Sequence, residues 1–177
     1  MKHKSLALIA GMALALALSL PLSALAQAPD RRDGRLSLGA EIGFLFGTAD
    51  STAFGLALNG DYFLNQNLSV GPLVQFGLTD DLFQFGPSVQ LKYTYDIDQR
   101  LTANLQGGLG FIYAELERSG RDRDDSSYLV PVGGGLEYKI GNDVSLGATV
   151  LLNFMDLDRV RDEDFYLSVL GGLKFKF

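Results

Sequence analysis

From Leu36 to the last residue the chain alternates apolar side chains with small or polar ones at a period of two. In the first stretch one face reads Leu36, Leu38, Ala40, Ile42, Phe44 and Phe46. The other reads Ser37, Gly39, Glu41, Gly43, Leu45 and Gly47. A period of two sends successive side chains to opposite faces of a strand. The pattern restarts at Phe54, Leu68, Phe83, Leu101, Tyr128, Val144 and Phe165, so eight strands are predicted. Turns are predicted at 48–51, 65–67, 79–81, 96–100, 118–127, 141–143 and 156–163. Asn59-Gly60 is the strongest two-residue hairpin signal in the chain. Turning there would leave a second strand of about eight residues, short of the ~9–11 that cross a bilayer. The turn is therefore placed at 65–67, and Gly60 is read as an interior strand glycine.

The two faces differ in bulk, and this decides which one looks outward. The Leu, Val, Phe and Tyr face holds far more volume than the roughly a dozen bulky side chains that fill a closed eight-stranded barrel. The opposite face, rich in Gly, Ser, Ala, Asn and Gln, fits a narrow lumen. The bulky face then meets lipid. Backbone amides in hydrocarbon must all be paired, which requires a sheet without edges. The expected fold is all-β: a closed antiparallel up-and-down transmembrane β-barrel of eight strands. Tyr62, Tyr93, Tyr95, Tyr113, Tyr128 and Tyr138 fall on the outward face near strand ends, where headgroup-level aromatics sit. Tyr166 points inward.

The amino terminus has a different pattern. Lys2 and Lys4 precede an apolar run from Leu6 to Leu20, and Ala24-Leu25-Ala26 is a small-x-small cleavage site. Residues 1–26 are expected to be a cleaved signal peptide, 27–35 a periplasmic segment and 36–177 the barrel. Cleavage leaves 13 basic against 21 acidic residues, a net charge of −8. That balance argues against a nucleic-acid partner. The chain has no cysteine, hence no disulfide, thiolate metal site or lipoprotein anchor. His3, the single histidine, leaves with the leader.

An even strand number returns both termini to one side, expected to be periplasmic. Turns 65–67, 96–100 and 141–143 then face the periplasm, and the longer charged segments 118–127 and 156–163 face outside. The signal peptide, the eight alternating strands and the ending Gly171-Gly172-Leu173-Lys174-Phe175-Lys176-Phe177 resemble the small outer-membrane barrels of the OmpA/OmpX type. The resemblance implies a bacterial outer-membrane location. It also implies that Leu173, Phe175 and Phe177 form the assembly signal read by the barrel-insertion machinery. Leu170 stands where that family often has a polar residue, and the peptidoglycan-binding domain of OmpA is not expected here.

The inward positions carry the candidate chemistry. Glu41, Asp61, Lys92, Glu137 and Lys174 are expected to form an ionic network across the lumen, because charge inside a narrow barrel is costly unless paired. Lys139 and Lys176, nearest the rim, are expected to reach water. Toward the other end Leu45, Leu82, Ile112, Ala114, Leu116, Leu129 and Leu151 line the interior, with Leu73 and Leu170 deeper and Tyr166 near the rim. Two accounts fit them: a dry core, which is favoured, or an apolar pocket. The outer arginines and carboxylates could meet lipopolysaccharide phosphates or divalent ions, but a solvated loop is the simpler reading. Gly107-Gly108 and Gly133-Gly134-Gly135 lie within strands and do not make a phosphate loop.

No catalytic, cofactor or metal residues emerge. The lipid-modifying and proteolytic relatives of such barrels need a histidine as base, and the mature chain has none. The expected function is a non-enzymatic, monomeric outer-membrane barrel in a structural or surface-interaction role, partnered by lipids and lipopolysaccharide, with its lumen plugged. The alternative is a small transport or binding barrel for an apolar or small solute.

Overall fold

A computed structural model describes residues 32, 34–49, 51–118, 121–156 and 164–177. The expected leader, 1–26, lies outside the described residues. Eight antiparallel strands follow in chain order: β1 (Leu36–Thr48), β2 (Ser51–Phe63), β3 (Leu68–Leu78), β4 (Leu82–Asp96), β5 (Leu101–Arg118), β6 (Arg121–Lys139), β7 (Val144–Met155) and β8 (Phe165–Lys176). Each pairs with its neighbours in sequence. β1 closes on β8 from Ser37↔Lys176 to Phe46↔Leu167, so the sheet is a closed barrel.

The faces divide as the alternation predicts. Ile42, Phe44, Leu105, Leu109 and Phe111 are exposed on the outside, whereas Leu45, Ile112, Leu129 and Tyr166 are buried within. Tyr62, Tyr93, Tyr95, Tyr138, Phe175 and Phe177 ring the outside at the end carrying both barrel termini and the short turns 64–67, 97–100 and 140–143. This is called the turn end. A second aromatic ring surrounds the opposite, loop end, where Phe76 and Phe85 pair across strands at 5.3 Å and Phe154 and Phe165 at 6.5 Å. Aliphatic residues fill the band between. Two aromatic girdles about an aliphatic belt are the surface a bilayer selects.

Gly60 stays inside β2, opposite Leu38. The β1–β2 hairpin turns through a register shift between Phe46 and Thr48, with Gly47 at φ +72°. A bulge glycine of that conformation adds local twist where the strand pair reverses.

One expectation is corrected. Of the segment 118–127, Arg118 and 121–127 are strand rather than loop, since β5 continues to Arg118 and β6 begins at Arg121, and 119–120 lie outside the described residues. β4 accompanies β5 only as far as Leu82↔Leu116, and β7 joins β6 only from Met155↔Leu129. The β5–β6 hairpin therefore rises beyond its neighbours at the loop end. Apolar alternation stops where the lipid stops, but the backbone ladder does not need it. The sequence signal for strand thus ended earlier than the strand itself. The expected loop 156–163 lies, beyond Asp156, outside the described residues.

Candidate functional site

The lumen is built in layers, because inward positions on adjacent strands fall at staggered heights. At the loop end Leu45, Ala53, Leu82, Ile112, Ala114, Leu116, Leu129, Met155 and Tyr166 form one buried apolar cluster. Tyr166 is fully buried, with Gln84 beside its hydroxyl. Below lies a smaller cluster of Ala57, Leu73, Leu151 and Leu170. Leu151, expected among the outer leucines, lies instead in this deeper layer with Leu73 and Leu170. Met155 and Ala53 were not singled out from the sequence. The inward parity of β2 and β7 was the signal that could have found them.

Three polar side chains cross the lumen between opposite walls at this level. Gln75 Nε2 donates to Asn153 Oδ1 at 2.8 Å, Asn153 Nδ2 to Ser168 Oγ at 2.8 Å, and Ser168 Oγ to Gln75 Oε1 at 3.0 Å. The ring is closed, and each of its members satisfies another.

At the turn end the charges meet. Lys92 Nζ and Lys174 Nζ both donate to Asp61 Oδ2, at 3.0 and 3.1 Å, and Lys174 also reaches Glu137 Oε1 at 2.5 Å. These four come from β4, β8, β2 and β6, so alternate strands contribute one layer. Glu41 does not join them: its carboxylate accepts from Thr149 Oγ1 at 3.1 Å. On the β8 side of Glu41 the row continues through Gly172 and then Gly147 to Glu137, another carboxylate. Lys176 departs from expectation in the other direction. Its Nζ turns to Glu137 Oε2 at 3.6 Å, while Lys139 is exposed. Arg32, in the segment before β1, ties down the turn-end rim through the Gln66 carbonyl and the Asp96 carboxylate.

The proposed assembly residues Leu173, Phe175 and Phe177 lie on the outer wall, half-exposed. Among the described residues no group of three or more Asp, Glu, His or Cys is placed to hold a metal ion.

This architecture has known counterparts. The chain matches the outer membrane protein beta-barrel domain family over residues 12–175 and belongs to it. It is an outer-membrane β-barrel of the small eight-stranded kind. Among solved structures it is similar in fold to the N-terminal β-barrel domain of Pseudomonas aeruginosa OprF, at TM-score 0.64 and 14% identity over 82% of this chain and 98% of that one. Neisserial surface protein A aligns at TM-score 0.65 and 16% identity, over 81% and 96%. Ail, the attachment invasion locus protein of Yersinia pestis, aligns at 0.56 and 16%, over 82% and 99%. At these identities the likeness is one of fold. No curated protein matches the chain.

Proposed function

We propose that the protein is a non-enzymatic barrel of the bacterial outer membrane, closed through its middle, with a structural or surface-interaction role. The observation that carries this reading is the packed lumen. Two buried apolar clusters, a closed amide ring and a paired charge layer follow one another along the axis. An ion crossing such a path would have to leave its water in the leucine layers, at a cost of several kcal/mol or more.

The surface role rests on the β5–β6 hairpin, whose β6 arm carries Asp124, Asp125 and Tyr128 beyond the last pairing with β7. Two neighbours in fold are named a surface protein and an attachment invasion locus protein. In this reading both termini are periplasmic, residues 1–26 are the signal peptide, and the barrel acts as a monomer. Its partners are outer-membrane lipid, lipopolysaccharide and, during assembly, the insertion machinery.

Planar-bilayer recording of the purified barrel tests the closed lumen. The expected result is no steady openings above the bare membrane. Reproducible single-channel steps would overturn it in favour of a small transport barrel.

A further inference from the structure

We propose that the barrel wall is built to open sideways at the middle of β5, between Pro87 of β4 and Pro131 of β6, joining the upper apolar cluster to the surrounding lipid. This goes beyond the closed lumen, because a sideways opening leads into the bilayer and leaves the axial path shut.

Three prolines stand inside strands: Pro72 on β3, Pro87 on β4 and Pro131 on β6. Proline has no N–H to give to a ladder, so strand interiors normally exclude it. Here each proline interrupts one seam and spares the other. The β4–β5 pairing reaches Phe85↔Tyr113 and resumes at Ser88↔Gly110, skipping Gly86 and Pro87 against Ile112 and Phe111. The β5–β6 pairing skips Gly108 and Leu109 against Pro131 and Val130, between Gly107↔Val132 and Gly110↔Leu129. Register is the same on both sides of each gap, so what is lost is pairing and no residue is inserted. Pro87 stays paired with Val74 on β3, and Pro131 with Asn153 on β7. Both missing donors therefore face β5. Pro72 makes one comparable gap, between β2 and β3. Among the described strands, β5 alone has its interior ladder interrupted on both flanks.

The glycines of β5 fall in the same stretch, at 107, 108 and 110, and glycine weakens a strand further. Between the two gaps a single position holds. Gly110 pairs with Ser88 on one side and Leu129 on the other. A Cβ there would stand 2.1 Å from the Pro87 carbonyl oxygen, so β4 and β5 can touch at this point only through glycine.

The place of the gaps gives the opening its destination. Val89, Leu109 and Phe111 are exposed on the outer wall around them, so the breaks lie in the lipid-facing belt. Directly behind stand Ile112 and Leu129, both fully buried in the upper cluster. Leu129 lies across the inner face of β5, for a Cβ at Gly86 on β4 would meet its Cδ2 at 2.9 Å. Backbone groups at membrane depth are costly to leave unpaired, and stretches with few ladder bonds open ahead of the rest of a fold. One strand thus separates lipid from the apolar cluster at the point where that strand is held least.

The chain has no cysteine, so single cysteines report access in barrels reconstituted into vesicles. Leu129→Cys lies behind the interrupted seams, and Leu151→Cys behind the unbroken β6–β7 and β7–β8 ladders at its level. A lipid-soluble maleimide should label Leu129→Cys well ahead of Leu151→Cys. Adding Pro87→Ala and Pro131→Ala returns two ladder donors and should slow that labelling, roughly fivefold per bond regained. Equal labelling of the two cysteines, or labelling unchanged by the alanines, overturns the proposal. So does a charged, water-soluble thiol reagent that modifies Leu129→Cys as fast as the apolar one, since entry would then be through the loop-end mouth. Amide exchange of the unsubstituted barrel gives a check that needs no variant. Amides 108–112 should exchange ahead of 102–106 on the same strand. Exchange of the two stretches at one rate would mean that β5 has no weak middle, and the sideways opening would fall with it.

Discussion

Leu129 and Leu151 carry most directly the choice between a packed interior and a pocket. Both are almost fully buried, Leu129 in the upper cluster and Leu151 in the lower. In a dry core, Leu129→Ala combined with Leu151→Ala should lower stability by about 2–5 kcal/mol per truncation. Denaturant or thermal unfolding in micelles reads this. A small loss accompanied by altered fatty-acid or detergent binding would instead show a pocket. Asp61 makes a different case. Its Oδ2 serves two buried ammonium groups, so Asp61→Asn leaves Lys92 without a charged partner and Lys174 with Glu137 alone. Removing one member of a buried ionic set costs about 3–5 kcal/mol. Asp61→Asn should therefore fall in that range by urea unfolding, and a loss below 1 kcal/mol would show that solvent already screens the cluster. Much of this was legible in the sequence, because inward parity alone brings Asp61, Lys92, Glu137 and Lys174 to the turn-end half. Partner choice was not legible. Glu41 shares their parity but meets Thr149, since lateral neighbours are set by register between strands, and alternation within one strand carries no register.

At the scale of elements, the strand number, the turns at 48–51, 65–67, 79–81, 96–100 and 141–143 and the direction of each face followed from alternation, and the length of β5 and β6 did not. Alternation reports a two-sided environment, lipid outside and lumen inside, so it fades once a hairpin leaves the membrane. The like-charged residues Glu115 and Asp124 stand directly opposite each other in the register of that hairpin. Such a pair is unfavourable in cross-strand packing, and water around an emergent hairpin weakens the repulsion. An epitope inserted between 119 and 120 should be reached by antibody on intact cells, whereas one in the 141–143 turn should need permeabilised cells. The reverse pattern would invert the orientation. Glycine also acts at this scale. A Cβ at Gly133 would lie 2.0 Å from the Val150 carbonyl oxygen, so the β6–β7 pair can curve closely there only without a side chain.

Closure is a property of the whole molecule, and it is completed by the first and last strands. β1 and β8 pair from Ser37↔Lys176 through Phe46↔Leu167, and Phe177 N extends the seam by donating to the Leu36 carbonyl at 2.8 Å. The seam can form only after the rest of the chain is present, so it joins the residues farthest apart in sequence. Non-local pairings of this kind are slow to form in any sheet protein. Phe177 has two possible contributions: an aromatic of the turn-end girdle, and the terminal residue of a Leu173–Phe175–Phe177 signal that directs insertion. They separate in their dependence on assembly. A girdle aromatic acts on the finished barrel, so deleting Phe177 would lower the stability of protein refolded in micelles, in proportion to one seam bond and one half-exposed ring, and would leave its cellular yield intact. An assembly signal acts before the barrel exists. In that case deletion of Phe177, or Phe177→Ser, should reduce the outer-membrane fraction and the heat-modifiable band on unboiled gels, while the same variant refolds from urea nearly as well as wild type. The expected outcome is the second. Unchanged membrane yield with a lowered unfolding midpoint would assign Phe177 to the girdle alone.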